Sequence, residues 1–113
     1  PLHPGTRGIF SADVIAAMRP DAVFGNVGRG ELVDQTALTD AVAAGRLGGA
    51  GLDVFDPEPL PPEDPLWDLP NVIVSPHNSG SSDGTEGRVV DIFLDNLGRF
   101  LTGRGMRNEV DTG

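Results

Sequence analysis

Apolar residues in this chain gather in short unbroken runs and in helical stripes, and the two patterns alternate. Ala22–Val27 (AVFGNV), Ala50–Phe55 (AGLDVF) and Val72–Val74 are short runs bounded by Gly, Pro or polar residues. Such runs predict buried strands. Between and around them the spacing is helical. Ser11 caps a short predicted helix with Asp13 in its first turn, Val14, Ile15 and Met18 on its apolar face, and Arg19-Pro20 at its end. Asp34 caps a second helix with Ala37, Leu38, Ala41 and Val42 facing inward, and Gly45 is its left-handed stop. A long helix is predicted over about 83–102. Val89, Phe93, Leu97 and Phe100 recur along it, Val90, Leu94 and Leu101 widen the stripe, and Gly103 ends it. That stripe is expected to be packing surface, which could belong to a second domain or subunit. Residues 1–8, 57–70 and 78–84 read as loops, with Trp67 expected to anchor the second on the core.

Short strands alternating with helices predict an α/β fold with a parallel sheet and right-handed crossovers. In open parallel sheets, ligands bind beyond the carboxyl ends of the strands. That rule selects residues directly. Arg29 follows the first strand within Gly28-Arg29-Gly30, whose two glycines are expected to free the backbone. Asp53 lies inside the second apolar run, and Glu58 stands between Pro57 and Pro59 just past it. His77 follows the third strand. A carboxylate within an apolar strand needs a partner, a ligand or an exit to solvent. Prolines restrain the backbone on both sides of Glu58.

Each of these residues has a plain reading by itself: a solvated turn Arg, an Asp bonded to backbone, an exposed loop Glu, a His satisfying a carbonyl. Their joint placement at strand ends carries the functional reading. Arg binds a carboxylate through two parallel hydrogen bonds. His gives or takes a proton near neutrality, and a neighbouring Glu favours its protonated form. An Asp beside them suits a cofactor amide. The combination suits reduction of a small 2-keto acid by a nicotinamide. His3, ahead of Pro4 in a loop, is expected to have no catalytic role.

Composition narrows the partners. The 113 residues suffice for one small domain, and the formal net charge of −9 argues against a nucleic-acid partner. No apolar run approaches a membrane span, no signal peptide is evident, and there is no Cys for a disulfide or a thiolate metal site. Two separated histidines without HExxH give no metal pattern. A cytoplasmic setting is the default expectation. The 16 Gly and 10 Pro fall mainly at element boundaries and read as turns.

Three segments together resemble a known family. NVGRGELVD (26–34), GGAGLDVFDPEPLP (48–61) and NVIVSPHNSG (71–80) closely resemble the D-isomer-specific 2-hydroxyacid dehydrogenases, and residues 1–24 are similar to the segment that precedes them there. The resemblance implies a partial Rossmann-type, doubly wound parallel sheet over 1–82, with 83–113 forming a C-terminal helix and tail that return toward a substrate domain. It implies NAD or NADP as cofactor, a small 2-keto or D-2-hydroxy acid as substrate, and a homodimer for the full-length form. It assigns the substrate carboxylate to Arg29, acid/base work to His77, pairing with that His to Glu58, and the nicotinamide carboxamide to Asp53. Pro1, Thr6, Val27, Gly28 and Gly80 match positions that line the cofactor, alongside Arg29 and His77.

The departures matter too. The G-x-G-x-x-G turn that seats a pyrophosphate on a helix N-terminus is absent. Residues 45–51 (GRLGGAG) do not replace it, because they leave a helix and enter a strand. Asn78-Ser79-Gly80 also differs from the commoner small apolar version. The chain begins Pro1-Leu2-His3 without Met, and is expected to be the C-terminal part of something longer. By itself it is expected to be poorly soluble or self-associating, since a half sheet exposes an edge and the apolar face of the long helix. The other readings are a non-catalytic dinucleotide-sensing or protein-binding relative, and an inert truncated chain.

Overall fold

The structure, a computed structural model, describes residues 2–110. The chain forms two units, residues 1–80 and 81–113.

The first unit is built on three parallel strands in the order β1-β2-β3, with β1 at Val23–Asn26, β2 at Gly49–Leu52 and β3 at Val72–Val74. Phe24 pairs with Ala50 and Ala50 with Val72, while Asn26 pairs with Leu52 and Leu52 with Val74. Paired residues share a face in a parallel sheet, so this register gathers Phe24, Ala50 and Leu52 on one side. There they bury against Ile15 of α1 (Ala12–Ala16) and Leu38, Ala41 and Val42 of α2 (Gln35–Ala43). The opposite side carries Gly25 and Gly51 between exposed Val23 and Ile73. The strands thus bury one face, not the two that continuous apolar runs led us to expect.

The predicted caps are present. Ser11 Oγ accepts from Val14 N at 3.4 Å, and Asp34 Oδ1 accepts from Ala37 N at 2.9 Å. Gly45 ends α2 at φ +66, which only glycine adopts freely. Helix α1 is shorter than its apolar pattern suggested: it stops at Ala16, and of its predicted face only Ile15 is buried. Strand β2 also stops early, at Leu52. Asp53 N still donates to Asn26 O, at 3.0 Å, but the next residues, Val54 and Phe55, are buried as loop rather than as strand. The Pro-rich loop contains a short 3-10 turn at Pro65–Trp67, capped by Asp64. Leu60 and Leu66 anchor that loop in the core. Trp67 does not: it is 51% exposed, and its indole N–H donates to Pro61 O at 2.8 Å, within its own loop.

The second unit is a single long helix, α3 (Thr85–Leu101), with a tail. It begins after Gly84 (φ +84), and Gly103 follows its end at φ +66. Its stripe is strongly amphipathic, as predicted, yet none of its residues is buried, and Phe93 is 63% exposed. One helix and a short tail have nothing of their own with which to enclose that stripe. Among the described residues no helix is long and apolar enough to cross a membrane.

Candidate active site

Three loops leave the carboxyl ends of the three strands, and each is tied down differently. Asn26 is the last residue of β1 and is buried. Its amide N–H donates to Arg29 O at 2.8 Å, and its Oδ1 accepts from Gly28 N at 3.0 Å. One side chain therefore shapes the whole Gly28-Arg29 turn. Gly30 completes it by close approach: a Cβ there would collide with the carbonyl of Phe55. Neither Gly28 nor Gly30 has positive φ, so the expected backbone freedom is not their reason for being there. At Gly30 the reason is space, and the contact seats the turn after β1 on the loop after β2.

Arg29 itself is exposed. Its Nη1 donates to Gly28 O at 2.7 Å, and among the described residues it is in no ion pair. Its guanidinium is not joined to Glu58 or His77.

Those two residues are joined. His77 Nδ1 lies 2.6 Å from Glu58 Oε1, with both side chains partly exposed. An ionised carboxylate only accepts hydrogen bonds, so the pairing puts a proton on Nδ1 and leaves Nε2 without a partner among the described residues. Glu58 sits between prolines, and both the Asp56–Pro57 and Glu58–Pro59 bonds are cis. Gln35, at the start of α2, steadies this loop by accepting from Asp56 N at 2.9 Å. A largely apolar cleft of about 370 Å³ adjoins the pair, walled by Phe55, Leu60, Trp67 and Val74.

Asp53 is 2% exposed, and its carboxylate is used within the chain. Oδ1 accepts from Ser75 Oγ at 2.6 Å and from Asn78 N at 3.0 Å, and Oδ2 accepts from Ser79 N at 2.9 Å. Hydrogen bonds from Ser75 and then Ser79 hold its carboxyl well below the ordinary carboxylate range, against the opposing effect of burial. Three of the roughly four acceptor positions of a carboxylate are thus filled. The cofactor amide expected there is left at most one.

Of the remaining expected positions, Val27 and Gly28 follow β1 and Gly80 lies in the loop after β3, whereas Thr6 belongs to the N-terminal turn. Val27 and Gly28 are exposed after β1, and a Cβ on Gly80 would meet nothing within 4 Å. The Thr6 hydroxyl donates to His3 O at 3.1 Å and accepts from His3 N at 2.9 Å. His3 Nδ1 accepts from Gly5 N at 3.1 Å, a local turn contact. Pro1 lies outside the described residues. An open, glycine-containing strand end beside an imidazole fits a flat nicotinamide. No cradle for a pyrophosphate accompanies it, since no G-x-G-x-x-G occurs in the sequence. Among the described residues no cluster of His, Cys, Asp or Glu could hold a metal.

Comparison with known proteins decides the family. Residues 1–79 match the model of the D-isomer specific 2-hydroxyacid dehydrogenase NAD binding domain. The chain belongs to that family. Glyoxylate/hydroxypyruvate reductase B of Pectobacterium carotovorum is 41% identical over 111 residues, which is 98% of this chain and 35% of that protein. A D-isomer specific 2-hydroxyacid dehydrogenase from Xanthobacter autotrophicus, solved with NADPH and MES, superposes with a TM-score of 0.90 at 39% identity, over 98% of this chain and 45% of that one. The NADPH-dependent glyoxylate/hydroxypyruvate reductase of Sinorhizobium meliloti, solved with NADP and sulfate, gives a TM-score of 0.88 at 40% identity, over 98% and 36% of the two chains. The chain spans about a third of the length of the curated dehydrogenase relatives it matches. Its three-stranded parallel sheet is part of the Rossmann-type fold of these dehydrogenases, and the family resemblance in the sequence was correct.

Sequence reasoning singled out His77, Glu58 and Arg29, but missed side chains that hold the loops around them. Asn26, Gln35 and Ser75 were not singled out. Asn26 carried a signal, as a polar residue closing an apolar strand just before the turn. The partners of Gln35 and Ser75 lie 21 and 22 residues away, and no local pattern announces them.

Proposed function

We propose that this chain supplies the substrate-anchoring and proton-transferring part of an NAD(P)-dependent 2-hydroxyacid dehydrogenase acting on a small 2-keto acid. The observation that carries the reading is the 2.6 Å pairing of His77 with Glu58 beyond the carboxyl ends of a parallel sheet. The reductase names of its relatives support the same reaction class.

Arg29 holds the substrate carboxylate through two parallel hydrogen bonds, fixing the keto carbon in orientation. Its guanidinium gives up only one bond, to Gly28 O, in turning to the ligand. Glu58 accepts from Nδ1 of His77 and fixes the ring's tautomer and direction. In its doubly protonated form His77 then gives its Nε2 proton to the keto oxygen as the carbon is reduced, keeping Nδ1–H on Glu58, and the neutral ring takes a proton back at Nε2 in the reverse reaction. A bound nicotinamide supplies the hydride. Val27, Gly28 and Gly80 line the place for its ring, Thr6 and Pro1 are assigned to the cofactor by the family resemblance alone, and Asp53 offers at most one acceptor position to its carboxamide.

The test is a graft. This chain replaces the corresponding segment of the Pectobacterium reductase, and consumption of NADPH and NADH is followed against a panel of small 2-keto acids. Turnover with at least one keto acid is expected. Dinucleotide binding without turnover on any of them would overturn the dehydrogenase reading and favour a sensing role.

A further inference from the structure

His77 has φ +50, a left-handed backbone conformation uncommon outside glycine. Such a residue persists where its surroundings over-determine it. Here the surroundings are explicit. Ser75 lies two residues before His77, and Asn78 and Ser79 follow it; all three donate to the one carboxylate of Asp53. Asp53 is itself fixed at the end of β2, its N–H donating to Asn26 O at 3.0 Å. Ser75 N adds a bond to Leu52 O at 2.9 Å, so the entry to the loop is pinned to β2 as well. No other described side chain bonds the backbone of residues 75–79.

We propose that Asp53 is a positioning residue for His77, a buried acceptor that clamps the chain on both sides of the imidazole and so holds Nδ1 against Glu58. The inference rests on the role given to His77 above. It assigns Asp53 work that needs no cofactor. The clamp acts on backbone and Ser75, while among the described residues the ring is held only by Glu58, so the two constraints meet at one residue. Losing the clamp frees the backbone, and the ring then leaves Glu58.

The experiment uses the 113-residue chain, whose two histidines, His3 and His77, give two ring signals in nitrogen-detected NMR. Asp53→Asn keeps the size but offers one acceptor oxygen for three donors. In that variant the amides of Asn78 and Ser79 are expected to exchange about tenfold faster or more. The His77 ring is expected to shift from the Nδ1–H form toward the Nε2–H form, with His3 unchanged as the internal control. Ser75→Ala removes one donor and leaves the buried carboxylate in place, and should move both readouts the same way by less. It serves if Asp53→Asn does not fold. An unchanged His77 ring, whether or not the amides exchange faster, would overturn the proposal. Neither readout needs catalysis, so a graft that binds dinucleotide without turnover would refute the dehydrogenase reading while leaving this test decisive.

Discussion

Arg29 and His77 each follow the carboxyl end of a strand in one sheet, yet they are held in opposite ways. At His77 the side chain is engaged: Glu58 holds the ring at 2.6 Å, and Asp53 holds the loop beneath it. At Arg29 the backbone is engaged and the side chain is not. Asn26 and the seat of Gly30 on Phe55 shape the turn, while the guanidinium rests on its own preceding carbonyl. The difference matches the two tasks. A ring proposed to transfer protons must keep one nitrogen aimed at the substrate: with Nδ1–H held by Glu58, Nε2 takes a proton in the neutral ring and gives one in the protonated ring. A carboxylate anchor must keep its donors for the ligand, because a guanidinium already locked in an ion pair would have to break it to bind.

The strongest way to break this comparison is to remove the engaged side. His77→Ala in the graft should lower turnover by about 10²–10⁴-fold with little change in dinucleotide affinity. Near-normal turnover would remove His77 from the chemistry. Arg29→Ala comes next. Loss of a charge-assisted bidentate contact should lower kcat/KM for the keto acid by about 10–100-fold, with part recovered in Arg29→Lys. If kcat/KM is unchanged, the anchor is another residue.

A smaller effect separates turn from side chain. Asn26→Asp keeps an acceptor for Gly28 N and loses the donor to Arg29 O. It should raise KM by about tenfold or less, since a typical neutral hydrogen bond is worth roughly 0.5–1.5 kcal/mol. The His77 ring signal should not move. If it did, the two loops would be one coupled unit rather than two.

The smallest effect is in pH. Because Asp53 titrates below its ordinary value, its contribution to stability is fully present above the ordinary carboxylate range. It is lost only as pH falls through the lower, folded value. Between neutral pH and about 5, therefore, the slow exchange of the Asn78 and Ser79 amides should persist once intrinsic exchange is accounted for. Loss of that protection within this window would contradict the hydrogen-bond geometry.

Much of this was legible in the chain itself. Val72–Val74 is the predicted third strand to the residue, and Asp34 and Gly45 bound the second helix as read. Caps, breakers and apolar runs are local signals, and local signals suffice for local structure. Where β2 ends was not legible, because Val54 and Phe55 are as apolar as strand residues and differ only in lacking a partner strand. Asp53 was recognised as costly to bury, but its partners come from a loop 22 to 26 residues on. The stripe of α3 was read as packing that could belong to a second domain or subunit, and in this chain it is exposed. Amphipathicity states that a face is suited to burial, not that this chain supplies what buries it.

The most direct test is the tautomer of the neutral His77 ring in the unmodified chain, read from its two nitrogen shifts. The account expects the proton on Nδ1, held by Glu58, with Nε2 free to act on a substrate. A neutral ring with its proton on Nε2, the form an unrestrained imidazole prefers, would mean that Glu58 does not hold His77 and that the proton-transferring pair is not built by this chain.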